Sequence, residues 1–150
     1  MNPLIQFKQK ILPLFIVSVL GCFGLSPTVQ AVSPPPDGGY PGNNTAEGDS
    51  ALFDLTNGRN NTALGFHALN GDTTGSDNTA TGRFALGGNN DTGSRNTATG
   101  SGAASFNDFS KTDNTATGSG ALTTTDTGFN TATGAFALDN NTGFNNTAHG

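Results

Sequence analysis

The sequence predicts an all-β fold, a parallel β-solenoid or β-roll of 16–18-residue coils, and three observations carry that expectation. A five-residue phrase, N-T-A-x-G, begins at Asn44, Asn61, Asn78, Asn96, Asn114, Asn130 and Asn146. Its copies lie 17, 17, 18, 18, 16 and 16 residues apart, and a fixed short period marks a repeat architecture. An apolar pair sits seven residues after each of the first six asparagines: Ala51-Leu52, Ala68-Leu69, Ala85-Leu86, Ala103-Ala104, Ala121-Leu122 and Ala137-Leu138. The composition excludes an ordinary core. The 150 residues include 22 Gly, 22 Thr and 18 Asn but no Trp, and alanine is the commonest apolar residue after position 31. A Rossmann-type enzyme, a helical bundle and a disulfide scaffold do not fit this inventory.

Residues 1–31 have the three-part layout of a secretory signal peptide. Lys8 and Lys10 give a basic start, Ile11 to Leu25 is an apolar run interrupted by Pro13, and Val29-Gln30-Ala31 offers the small residues of a cleavage site. The run is shorter than the ~20 residues of a membrane-spanning helix. Val19-Leu20-Gly21-Cys22 resembles a bacterial lipobox, so lipidation at Cys22 is an alternative that would tether the protein to a membrane. Cleavage after Ala31 instead removes the single cysteine and with it any disulfide or thiol chemistry. Either route predicts a secreted or cell-surface protein.

After Ala31, four basic residues (Arg59, Arg83, Arg95, Lys111) stand against all eleven acids, a net charge of −7. An acidic chain without a basic stripe is not expected to bind nucleic acid. Residues 32–43 are rich in Pro and Gly and read as an extended linker. Residues 44–150 form the repeat region, whose last unit is incomplete. Stopping at Gly150, five residues into a unit, suggests a truncated fragment, because solenoids normally end in an atypical cap.

Each unit is expected to hold two short strands, one at Thr-Ala-x and one around Ala-Leu. Gly48, Gly65, Gly82, Gly100, Gly118 and Gly134, with Gly150 beginning the next corner, turn the chain between them. Length varies only in the polar stretch after Ala-Leu, which is therefore the loop. The seven asparagines stack at the ~4.8 Å strand spacing, and amides that both donate and accept suit a ladder along the axis. Phe53, Phe66, Phe84 and Phe136 are expected to join the Ala-Leu column in the core. Burying one Leu or Phe contributes ~1.5–3 kcal/mol, whereas ordering one residue costs ~1–2 kcal/mol. So thin a core predicts a second apolar surface between subunits.

N-T-A-x-G with its trailing Ala-Leu resembles the head repeats of trimeric autotransporter adhesins (YadA-like heads) and, more closely, secreted bacterial N-T-A-x-G repeat proteins. The resemblance covers residues 44–150. It implies a trimeric β-roll that acts at the bacterial surface as an adhesin, meets extracellular matrix or cell-surface ligands, and has no catalytic site. The present units are longer than the roughly fourteen residues of those heads, and neither a coiled-coil stalk nor a membrane barrel is found in the sequence.

Four successive units carry Thr-Ala-Thr: Thr79/Thr81, Thr97/Thr99, Thr115/Thr117 and Thr131/Thr133. Residues i and i+2 of a strand share a face, so these can form a two-wide threonine array resembling the surface of ice-binding solenoids. That array is the basis of the runner-up reading, a secreted ice- or crystal-surface binder. Leu64 at the second position argues instead for an inward or subunit-facing column and a structural threonine ladder. Asp72, Asp77, Asp91, Asp113, Asp126 and Asp139 lie in or beside the loops without the nonapeptide spacing of calcium-loaded rolls, and read as solvated carboxylates. His67 and His149 occupy different positions in their units and fit no metal-ligand spacing. No cofactor, metal site or catalytic residue is expected.

Overall fold

The computed structural model describes residues 40–88, 92–105, 111–124 and 127–150. The signal peptide, Cys22, most of the linker, Asp91 and Asp126 lie outside them. The fold is an all-β parallel solenoid of about six turns with coils of about 17 residues. Its seven strands are β1 (Thr45–Glu47), β2 (Thr62–Leu64), β3 (Thr79–Thr81), β4 (Thr97–Thr99), β5 (Thr115–Thr117), β6 (Thr131–Thr133) and β7 (Thr147–His149). They form one sheet in chain order, all parallel, with residue-for-residue register, as in Thr97↔Thr115 and Ala98↔Ala116.

Every coil repeats one sequence of backbone turns. A left-handed residue precedes the buried Asn, as at Asn60 (φ 56°) and Asp77 (φ 60°). The three-residue strand follows, and then the corner glycine, whose φ runs from 122° at Gly48 to 135° at Gly65. A Cβ on Gly82 would stand 2.6 Å from the Gly100 carbonyl oxygen of the next coil, so the corner requires glycine for closeness as well as for φ.

The segment after that corner is not a strand, contrary to expectation. The alanine of each apolar pair is flanked by two left-handed residues, His67 (φ 55°) and Leu69 (φ 49°) in the second coil, Phe84 (φ 56°) and Leu86 (φ 48°) in the third. Alternating left-handed residues cannot form an extended strand. They still stack: Leu69 N–H donates to Ala85 O at 3.0 Å and Leu86 N–H to Ala103 O at 3.0 Å.

The core lies between the strand and this kinked wall. Strand-centre alanines (Ala63, Ala80, Ala98, Ala116, Ala132) and the apolar pairs, apart from the half-buried Leu138, are buried within one chain, so the interior closes without a second subunit. The phenylalanines do not join it. Phe53 and Phe136 are 73% and 66% exposed, Phe66 is also exposed and Phe84 is half-buried. The coil is just wide enough for Ala, Leu and Asn columns, and the corner that carries Phe84 and Phe136 aims its side chains outward. Tyr40–Asn43 are bound into the first coil: Tyr40 N–H donates to Asn44 O, and Gly42 O accepts Asn60 N–H at 2.8 Å.

Candidate functional site

Two polar columns run along the solenoid, one inside and one outside, and they do different work. The inner column is asparagine. Asn44, Asn61, Asn78, Asn96, Asn114 and Asn130 are buried and Asn146 is half-buried. The Oδ1 of each accepts the backbone N–H of the next, from Asn61 N to Asn44 at 2.8 Å through Asn146 N to Asn130 at 3.0 Å. The amide nitrogens mostly turn to loop carbonyls of their own coil, as Asn61 Nδ2 to Gly75 O and Asn78 Nδ2 to Gly93 O, both 2.8 Å. The expected ladder exists, but it runs chiefly from side chain to backbone. Direct amide–amide bonds join Asn96 to Asn78 and Asn114 to Asn96, each at 3.2 Å. One residue thus closes its own loop and fastens the following coil, which accounts for asparagine at that position.

The outer column is threonine. In each strand the central alanine points inward, so both flanking residues point outward. The first flank is threonine in all seven strands: Thr45, Thr62, Thr79, Thr97, Thr115, Thr131 and Thr147. The second reads Glu47, Leu64, Thr81, Thr99, Thr117, Thr133 and His149. Leu64 is 37% exposed, so the inward reading it suggested is corrected. Thr45, Thr62 and Thr147 extend the array beyond the four units picked out in the sequence. Their signal was present, since every phrase has Thr at its second place.

These hydroxyls do not form a structural ladder. Among the described residues, none of the strand threonines has a side-chain hydrogen-bond partner in the protein. Threonines outside the strands behave differently: Thr56, Thr124 and Thr127 donate their hydroxyls to the carbonyls of Thr73, Asp139 and Gly143 on the following coil, at 2.8, 2.6 and 2.6 Å. Loop threonines therefore serve the fold, and strand threonines lie on the outer face, Thr62, Thr81 and Thr131 half-buried and the rest exposed, with their hydroxyls uncommitted.

A second surface lies past the corner glycines. Phe66 and Phe84 meet edge-to-face with centroids 5.5 Å apart, His67 lies tilted against both at 4.2 and 5.1 Å, and the Arg83 guanidinium sits 4.5 Å from the Phe84 centroid. His67 belongs to this cluster, while His149 lies on the threonine face of β7.

The loop acids are not uniformly solvated. Asp72 is buried and accepts Gly75 N–H at 2.7 Å and Asn78 Nδ2 at 3.3 Å. Asp113 makes a bidentate pair with Arg95 of the preceding coil, at 2.7 and 2.8 Å. The hydrogen bond from Arg95 holds the Asp113 carboxyl below the usual aspartate range. Asp77 accepts Asn60 Nδ2 at 3.0 Å, and Asp139 is half-buried. Among the described residues no three His, Cys, Asp or Glu side chains gather as a metal-ligand group. A polar groove at the first coil, lined by Pro41–Asn43 and Thr56–Arg59, contains no carboxylate–histidine or nucleophile–base pair.

Fold and site define a class, the parallel β-solenoid with one threonine-faced sheet. No protein-family model matches the chain, and comparison with curated proteins and with solved structures gives no match.

Proposed function

We propose that this chain is an exported bacterial protein of the cell surface or extracellular space, adhesin-head-like, with a structural and interaction role and no catalysis. The observation that supports it most is the division of labour in the coil. Bonding needed for the fold is internal, in the asparagine ladder and Ala-Leu column, which leaves whole faces of the solenoid for contact. The Phe66–Arg83–Phe84 corner has the residue types that dominate protein contacts. Self-association as a homotrimer, in keeping with the adhesin-head resemblance, covers this corner with neighbouring copies. Extracellular matrix or cell-surface ligands are the wider partners that the resemblance implies. Residues 1–31 direct export, and lipidation at Cys22 is the alternative route to a membrane.

The test is to express the full chain with a C-terminal tag in a bacterial host, separate the cell fractions, and measure the mass of the exported protein by light scattering. Export with a mass near three chains supports the reading, and Arg83→Glu with Phe84→Ser should lower that mass to one chain. Retention in the cytoplasm with residues 1–31 still attached overturns it. The second reading, contact with a crystalline surface, is favoured by the open threonine hydroxyls and is developed next.

A further inference from the structure

We propose that the Thr-Ala-Thr face is an ice-binding surface. Residue-for-residue pairing sets its geometry. Neighbouring parallel strands stand ~4.8 Å apart, and residues i and i+2 of a strand are ~6.6 Å apart. Strands β3 to β6 therefore present eight threonines, Thr79 to Thr133, as a two-by-four lattice with fixed steps. Coil length does not disturb the lattice, because intervals of 16 to 18 residues are absorbed in the loops while the strand register is kept.

Ice supplies a matching lattice by elementary geometry. Water oxygens about 2.75 Å apart in tetrahedral array place second neighbours about 4.5 Å apart and layers of like orientation about 7.3 Å apart. Across the three steps of β3 to β6, the difference between ~4.8 and ~4.5 Å accumulates to about 0.9 Å, well under one hydrogen-bond length. The lateral mismatch is about 0.7 Å and is met only once, since the array is two columns wide.

The chemistry agrees with the metric. A hydroxyl both donates and accepts, as water does, so it can occupy a lattice point of either polarity. Each threonine is β-branched and holds a restricted side-chain angle, and among the described residues none of these hydroxyls is committed to a protein acceptor. The buried Ala80, Ala98, Ala116 and Ala132 anchor every rung from beneath. The eight-threonine block is uncharged in a chain whose net charge is −5, which suits a neutral crystal and not an ion or a charged polymer. It also lacks the aromatic and arginine anchors of protein hot spots. Those anchors sit around the corner, so the face and the trimer contact are separable.

The measurement is the fraction of the exported full-length protein captured by slowly growing ice, together with thermal hysteresis. Capture well above that of an unrelated acidic protein is expected. Thr99→Tyr and Thr117→Tyr, each placing a ring over neighbouring rungs, should reduce capture about tenfold with an unchanged thermal melt. Leu64→Thr lengthens the second column to five rungs and should raise capture. Exclusion of the wild-type chain from ice overturns the proposal even if the protein is exported and trimeric. Equal capture of wild type and both tyrosine variants also overturns it, by placing the contact elsewhere. Should a tyrosine variant fail to fold, the Leu64→Thr comparison still decides, because a capture no higher than wild type contradicts a lattice on this face.

Discussion

Phe136 lays its ring over Gly120 of the preceding coil, where a Cβ would stand 2.7 Å from two ring carbons. Both residues occupy the same left-handed corner, Gly120 at φ 66° and Phe136 at φ 58°. An outward side chain at that corner leans back along the axis, and a glycine in the coil before it provides the seat. Gly102 holds the equivalent corner one coil earlier with open space where its Cβ would be.

The two glycines therefore predict different costs for one substitution. Gly102→Ala should destabilise by about 1 kcal/mol, the backbone penalty of a left-handed alanine. Gly120→Ala should cost about 1–2 kcal/mol more, because the Phe136 ring must leave its seat. Urea unfolding of the two variants measures the difference, and Phe136→Ala in the Gly120→Ala background should remove most of it.

Gly82→Ala is a harsher change. Its Cβ would meet the Gly100 carbonyl at 2.6 Å, and φ is 132°, outside the range that alanine adopts without strain. The obstacle is backbone, which cannot rotate away as a ring can. A loss of about 4 kcal/mol or more is expected, visible as failure to recover folded protein or as two separated solenoid halves in hydrogen exchange.

Asn96→Ala removes the buried link between three coils. Lys111 O loses the Nδ2 donor at 2.9 Å, and Asn114 N–H loses its acceptor at 3.0 Å. Each buried group left without its partner costs about 1–3 kcal/mol, so the two together cost about 2–6 kcal/mol. Asn43→Ala, on the exposed side of the first coil, loses a 3.3 Å surface bond and puts alanine at φ 63°, so it should cost only about 1 kcal/mol, chiefly from the backbone. Chemical denaturation of the pair provides the comparison.

Acid should weaken the contact between the fourth and fifth coils. The Asp113 carboxyl is held below its ordinary value by Arg95. Its stabilising contribution is therefore complete above the unfolded value of about 3.9 and is lost as pH falls through the lower folded value. Asp113→Asn should flatten the stability profile below about pH 4 and leave the remaining acid response to other groups. Thermal melts from pH 7 down to pH 2 would show the change in slope. Because the pair is exposed, raising the salt concentration should mute the effect.

Much of this architecture was legible because repetition multiplies weak signals. One N-T-A-x-G means little, but seven in register locate the asparagine column, the corner glycine and the loop that absorbs length. The second wall was not legible. Its left-handed corners carry Ser50, His67, Phe84 and Phe136, and its next position carries Leu52, Leu69 and Leu86, none of which advertises positive φ. Gly102 and Gly120 held the clue in two coils. The phenylalanines misled for a related reason: hydrophobicity argued for the core, while the corner's handedness sends the side chain outward. Leu64 misled about the threonine face in the same way. Composition reported that this position tolerates an apolar group, whereas strand alternation about the buried Ala63 decided its direction.

The asparagine ladder and the inter-coil backbone bonds all point along the rod axis. Tension applied between its ends would therefore load those contacts in series, and the weakest coil would open first. Each opened coil releases about 17 residues, or roughly 55–60 Å of slack chain, while its neighbours keep their own closed loops. Under such a load the solenoid would lengthen in discrete steps and absorb work at each one.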